Sequence, residues 1–469
     1  MNLPIQQSSE NKNLKRNLSN RHIQLIAISG AIGTGLFMGS GQTISLAGPS
    51  IIFVYMIIGF MLFFVMRAMG EILLSNLNYK SFSDFAADLL GHWAGFFTGW
   101  TYWFCWVVTG IADVVAIAGY TEYWFPRITE LNLQWLPMLI CIIVLVALNL
   151  LTVKMFGETE FWFSMIKIIA IISLIATGII MLCMKFQSPI TGTVASLSNL
   201  WKYGGLFPTG LMGFFAGFQI AIFAFVGIEL VGTTAAETRD PEKNLPRAIN
   251  SIPVRIIFFY VLALITIMSI TPWLHIDPKK SPFVELFALA GLPAAASIIN
   301  FVVLTSAASS ANSGIYSTSR MLYGLAKDNN APNTFGKLSK RAVPASGLLF
   351  SCICLLSGVV LLYFVPDIMD AFKIVTTISA ILFMFIWSII LISYLAYRKK
   401  KTLLHQESTF KMPGGVFMCW ICLLFFVGIL ILLGLEQTTR YGLVTTPIWF
   451  IILIISYYFH RQKSISLTE

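Results

Sequence analysis

The sequence predicts an all-α integral membrane protein of twelve transmembrane helices, and three observations predict it. Hydrophobic residues make up 57% of the chain and charged residues only 11%, where a soluble domain carries about 25% charged residues. Long stretches without a charge recur, such as Leu36–Met66 and Ile256–Ile276, and about 20 apolar residues suffice for a helix to cross the hydrocarbon core. Two of the stretches, five apart in chain order, are interrupted by clustered glycines. The mean hydropathy of +0.80 agrees.

Taken in order, the chain opens with a polar, basic tail over residues 1–20, with no pattern of a cleavable leader. Apolar spans are expected at 22–47, 49–74, 93–125, 136–153, 159–184, 209–236, 248–273, 293–323, 345–365, 368–396, 415–435 and 443–460. Span one carries Gly30, Gly33, Gly35, Gly39 and Gly41. Span two holds Arg67 and Glu71 one turn apart, a spacing expected to give a structural ion pair. Residues 81–92 alternate polar and apolar at near-helical spacing, as a short amphipathic helix at the membrane interface would. Span three contains Asp113, expected near the outer surface, and span five contains Lys167 with uncharged neighbours from Phe161 to Met184. Span six carries Gly213, Gly217, Gly227 and Gly232, with Glu229 inside its apolar run. The longest loops, 327–342 and 398–413, are too short for a soluble domain, so residues 21–463 read as one membrane domain with a short tail at 464–469.

Orientation follows from the 31 Lys and Arg residues. With the N-terminus inside, twenty-two fall on the cytoplasmic side, six on the other and three (Arg67, Lys167 and Lys373) within spans or at their edges. Such a bias places both termini in the cytoplasm. It also accounts for the net charge of +10 without nucleic-acid binding, because the basic residues are scattered over short loops. The seven cysteines lie in or at the edge of apolar spans, and the Cys419/Cys422 pair reads as buried packing. The five histidines are dispersed, so neither a metal nor a cofactor is expected. No nucleophile–base constellation or nucleotide motif is present, which argues against an enzyme and leaves no catalytic residue to name.

The glycine clusters carry the functional reading. Each glycine lowers helix propensity by about 1 kcal/mol relative to alanine, and non-helical backbone at membrane depth is tolerated only where it lines a cavity or is buried in protein. Close packing alone accounts for Gly95, Gly99, Gly213 and Gly217. Three glycines within Gly30–Gly35 exceed that need and predict a break. Interrupted spans in corresponding halves mark the binding site of a secondary transporter, and spans one and six are separated as an inverted five-plus-five repeat requires. A half-helix N-terminus offers free N–H groups and the positive end of its dipole to an anion. Thr34 and Gly35, following Gly33, are therefore candidates for a carboxylate; Ala31, Phe223 and Val226 are candidates to turn carbonyls toward an ammonium. Together these recognise an α-amino acid by backbone and leave its side chain undefined. Ionisable groups inside spans default to functional hypotheses. Lys167 could exchange a proton during transport or stay a fixed cation, and Glu229 could gate or merely accept a hydrogen bond.

Further residues carry a family likeness. Gly30-Ala-Ile-Gly-Thr-Gly-Leu-Phe37, Ala47-Gly-Pro49, Met69-Gly-Glu71, Phe225-Val-Gly-Ile-Glu229 and Ala236-Glu-Thr-Arg-Asp-Pro241 resemble the amino acid–polyamine–organocation (APC) superfamily. Ser309-Ser-Ala-Asn-Ser313, Ser319-Arg320 and Ala331-Pro332 are similar to its bacterial amino acid permease branch. The resemblance implies the LeuT-type fold: repeat one at about 22–184, repeat two at about 209–397 and two extra helices at about 415–460. It implies import of small neutral amino acids (D-serine, D-alanine, glycine) across the bacterial inner membrane by proton symport and alternating access, without an obligate protein partner. Thr34 and Gly35 then match carboxylate-binding positions, Ala31, Phe223 and Val226 ammonium-facing ones, Glu229 a gating acid and Lys167 a residue standing where some relatives bind sodium. Tyr102, Ser309, Asn312 and Thr376 are candidates to close the pocket. An amino acid exchanger, a permease for another neutral amino acid and a non-translocating receptor remain alternatives.

Overall fold

The computed structural model describes residues 32–79, 81–150, 153–233, 240–341 and 343–466. The tail 1–20, Gly30, Ala31, Lys80, the segment 234–239 and the last three residues lie outside the described residues.

Among the described residues the chain is helical throughout, with one isolated antiparallel bridge between Gln187 and Val194. The helices that matter here are α1 (Thr34–Phe37), α2 (Gly39–Ala47), α3 (Ile51–Ser75), α4 (Phe82–Leu90), α5 (His92–Glu122), α6 (Trp135–Asn149) and α7 (Val153–Cys183). They continue with α8 (Gly210–Ala221), α9 (Leu230–Thr233), α10 (Pro241–Asn250), α11 (Ala263–Ile270), α12 (Pro282–Leu289) and α13 (Pro293–Lys327). The series ends with α14 (Ala345–Leu355), α15 (Ser357–Phe364), α16 (Ile368–Lys400), α17 (Thr402–Glu407), α18 (Gly415–Leu433) and α19 (Gln437–Ser466).

Nine helices among the described residues are long and apolar enough to cross a membrane, and Trp135–Asn149 and Gly210–Phe225 are shorter apolar ones. Each overlaps one of the expected spans, except that Gly39–Ser75 runs through the expected boundary between spans one and two. The chain turns there on a single 3-10 turn, Gly48–Ser50, where Gly48 takes a φ of 58° and Pro49 lacks an N–H to continue the helix.

Helices α5 and α16 are the most buried, and α13 packs along α5 more extensively than any other pair. Small side chains permit that approach: a Cβ at Gly314 of α13 would lie 2.9 Å from the Trp106 ring of α5. At the opposite extreme α18 and α19 present most of their surface outward, with Leu424, Ile431, Ile451 and Ile455 exposed. Apolar side chains on the outside and polar ones within suit a lipid solvent.

Within residues 81–92, Phe82–Leu90 form the expected helix. Ser81 caps it by accepting the N–H of Ser83 at 3.3 Å, and Gly91, at φ 110°, ends it. Its apolar residues Phe82, Phe85, Ala86 and Leu89 are buried and the helix packs on α5 and α16.

The expected Arg67–Glu71 ion pair does not form. Glu71 is fully buried and is instead taken by the segment after α16: His405 Nδ1 lies 2.5 Å from one oxygen and the Met412 N–H donates to the other at 2.7 Å. Arg67 turns to the Asn250 side chain at 2.8 Å, to the Lys411 carbonyl and to the face of Phe410. Helical spacing put the two charges on one face, but a tertiary loop supplied each with a better partner.

Candidate functional site

The described part of span one starts in extended backbone. Gly33 has φ −132° and ψ −164°, and its carbonyl accepts the N–H groups of Leu36 and Phe37, each at 3.2 Å. The N–H groups of Thr34 and Gly35 therefore precede the first intrahelical acceptor and point beyond the helix end. Met38 keeps helical angles and donates to the Thr34 carbonyl at 2.8 Å, so α1 and α2 run on nearly as one helix with its N-terminus at Thr34. Just ahead, the Ile32 carbonyl accepts the Ser306 hydroxyl of α13 at 3.3 Å.

Span six breaks opposite. Helix α8 tightens into a 3-10 turn, Ile222–Phe225, then leaves helical geometry at Val226, where ψ is 135°. Gly227 follows with φ 98°, a conformation that L side chains rarely adopt. The chain re-enters a helix at α9. Several of the polar groups freed by the break are satisfied locally. The Ala224 carbonyl accepts the Tyr260 hydroxyl at 2.9 Å, and the Phe223 carbonyl accepts the Val226 N–H at 3.1 Å. The Gly227 N–H donates to Glu229 at 3.1 Å, and the other Glu229 oxygen accepts the Tyr102 hydroxyl of α5 at 3.4 Å. Glu229, fully buried, thus caps the break in its own span.

The start of α1 touches the break in span six. A Cβ built on Gly35 would lie 2.5 Å from the Cα and 2.8 Å from the N of Ala224, and 3.0 Å from the carbonyl carbon of Phe223. No L residue other than glycine fits between these backbones without moving one of them. Gly33, two residues away, is free of that constraint, its nearest neighbour being the Ser310 hydroxyl at 3.8 Å.

A buried polar row lies behind α1. The Thr34 hydroxyl donates to Asp113 Oδ1 of α5 at 2.8 Å, and Ser310 of α13 faces this carboxyl. Asp113 is fully buried, so its expected place near the outer surface is corrected: it sits against the start of α1. Lys167 of α7 is buried within electrostatic reach of Asp113 and Glu160. Ser309 donates to Glu160 at 2.8 Å, and Asn149 of α6 donates to Asn312 at 2.7 Å.

Gly33, Thr34, Gly35, Phe223 and Val226 are therefore gathered where the start of α1 faces the break in span six, and Tyr102 reaches them through Glu229. Ser309 and Asn312 engage the α6–α7 side instead. The Thr376 hydroxyl bonds to its own helix, at the carbonyls of Phe372 and Lys373, one turn from the Phe372 ring that meets Phe223 edge-on. Sequence reasoning missed Glu160 and Tyr260. Glu160 lies two turns before Lys167 and on the same face, a spacing that could have found it. Nothing in the sequence marks Tyr260 as the residue that ties down the Ala224 carbonyl.

Many apolar helices, one of them broken where it meets the start of another beside buried charges, define a polytopic membrane transport protein. The sequence matches the amino acid permease family over residues 22–468, and the chain belongs to that family. It is 70% identical over 457 residues to a D-serine/D-alanine/glycine transporter of Escherichia coli strain CFT073, an alignment covering 97% of this chain and 96% of the relative. It is 53% identical to the amino-acid permease AapA of Bacillus subtilis, over 96% of this chain and 95% of that one. Similarity to the DL-alanine permease SerP2 of Lactococcus lactis is 42% identity, covering 96% of each.

Proposed function

We infer that the chain imports glycine, D-alanine and D-serine by proton symport and alternating access. The single observation that carries the reading is the contact in which Gly35, at the start of α1, rests on the Phe223–Ala224 backbone at the break of span six. Backbone donors at Thr34 and Gly35 then face the substrate carboxylate, while carbonyls of Phe223 and Val226 face its ammonium. Lys167 and Glu229 handle coupling and gating. The small side-chain preference is drawn from the relatives at about 70% identity, which are named as D-serine/D-alanine/glycine transporters. A substituent no larger than a methyl or hydroxymethyl group asks little rearrangement when the configuration at Cα is inverted.

The architecture proposed with it is twelve helices in a LeuT-type five-plus-five repeat, repeat one at about 22–184 and repeat two at about 209–397. The helices at about 415–460 form the additional pair, and the peripheral position of α18 and α19 supports that role. The chain resides in the cytoplasmic membrane with both termini inside, as a single chain and without a cofactor.

The test is uptake of labelled glycine into cells lacking their own glycine permeases. Excess D-serine or D-alanine is expected to compete, and phenylalanine is not. Uptake no greater than in cells carrying an empty vector would refute the proposal.

A further inference from the structure

We propose that Asp113 is a positioning residue whose protonation hands the Thr34 hydroxyl to the substrate carboxylate, linking one proton to each amino acid bound. The proposal rests on the reading above that the half-helix beginning at Thr34 receives that carboxylate.

A threonine hydroxyl has one hydrogen to donate and lone pairs to accept with. Here that hydrogen is committed to Asp113 Oδ1 at 2.8 Å. An ionised Asp113 can only accept, so while it is charged the Thr34 hydroxyl is unavailable to a substrate. Protonation converts the carboxyl into a donor. It can then donate to the Thr34 oxygen, and the hydroxyl rotates to present its hydrogen to the space beyond α1. The same proton removes a negative charge from beside the place where the substrate's own carboxylate would sit, where buried like charges repel strongly. Both effects act in one direction: the protonated form binds the amino acid and the ionised form releases it.

The second observation is that Asp113 has capacity to spare. It is fully buried, and its Oδ2 has no hydrogen-bond partner among the described residues. A buried polar atom left unmatched is costly and calls for an explanation; an oxygen that carries the transported proton supplies one. The groups facing this carboxyl are few. Thr34 approaches from α1, Ser310 from α13, Lys167 from α7 with Glu160 beyond it, the Cys141 thiol from α6 and the Tyr120 hydroxyl from α5 itself. Lys167 is the one cation among these facing groups, so the charge it faces changes as Asp113 gains and loses its proton. The proton enters from the outer water with the amino acid, resides on Asp113 during the crossing and leaves to the cytoplasm when the carboxyl ionises.

The test is equilibrium binding of labelled glycine to the purified protein in lipid nanodiscs, measured in acidic and alkaline buffer. Wild type is expected to weaken as pH rises, by up to about tenfold per pH unit, the limit for one linked proton. Asp113→Asn presents a fixed amide donor and is expected to bind with no pH dependence. Thr34→Val is expected to bind weakly at both pH values, and Thr34→Ser to restore the wild-type profile. An Asp113→Asn protein that keeps the wild-type pH profile overturns the proposal. So does a Thr34→Val protein that binds like wild type in acid, and this arm stands even where the Asp113 variant fails to fold. A wild type that binds none of glycine, D-alanine and D-serine overturns the substrate reading itself, an outcome separate from the two above.

Discussion

The contact between Gly35 and the broken span six makes a sharp prediction. In Gly35→Ala the new methyl group would stand 2.5 Å from the Ala224 Cα, where ordinary contact begins at 3.4 Å. The shortfall is about 0.9 Å, and the neighbours are backbone atoms that cannot rotate away. Overpacking of this kind costs about 1–3 kcal/mol. Spent on separating the start of α1 from the break in span six, that energy weakens substrate binding by about 5- to 150-fold, at about 1.4 kcal/mol per factor of ten. The control is two residues away. Gly33→Ala has 3.8 Å to its nearest neighbour and extended backbone angles, so the same added methyl group meets no clash. Thermal stability of the detergent-solubilised protein and half-saturation of glycine uptake, measured side by side, separate the two variants. Equal behaviour of Gly35→Ala and wild type in both measurements would refute the placement of the start of α1 against that break.

Other outcomes follow from the same geometry. Lys167→Ala is expected to abolish accumulation while leaving exchange across preloaded vesicles, and normal accumulation would remove its coupling role. Tyr260→Phe strands the Ala224 carbonyl, costing about 1–3 kcal/mol, and is expected to lower substrate affinity; an unchanged melting temperature and affinity would contradict this. Glu71→Ala leaves His405 and the Met412 N–H without their buried acceptor. A loss of about 3 kcal/mol of stability should appear as poor recovery on gel filtration, and full recovery would count against it. In the loop helix α12, burial raises Glu285 from 4.5 to about 7, against the Asp277 N–H that it accepts at 2.9 Å. A carboxyl raised in the folded state contributes stability that is present below its ordinary value and lost as pH rises through about 7. Glu285→Gln should therefore flatten the decline of melting temperature across that window, and an identical decline would disprove it.

The sequence carried the features that are local and missed those that are tertiary. Clustered glycines at Gly33 and Gly35, and again at Gly227, announce themselves because helix propensity is a property of the chain itself. Charged residues in apolar runs are as plain, which is why Lys167 and Glu229 could be singled out. What could not be read is which side chains those groups meet. Asp113 and Thr34 are 79 positions apart, and no periodicity relates them. Arg67 and Glu71 show the converse error: the helical spacing was right, and partners from the 402–412 segment overrode it. Ser309 and Asn312 lie on the expected helix, but the helix turns them toward Glu160 and Asn149, a rotation set by packing against α6 and α7.

The central claim, proton-driven import of a small amino acid, is tested most directly in proteoliposomes with purified protein and an imposed inward proton gradient. Labelled glycine is expected to rise inside above its outside concentration and to fall back when a protonophore is added. Uptake that never exceeds equilibration, or accumulation indifferent to the protonophore, would contradict the account.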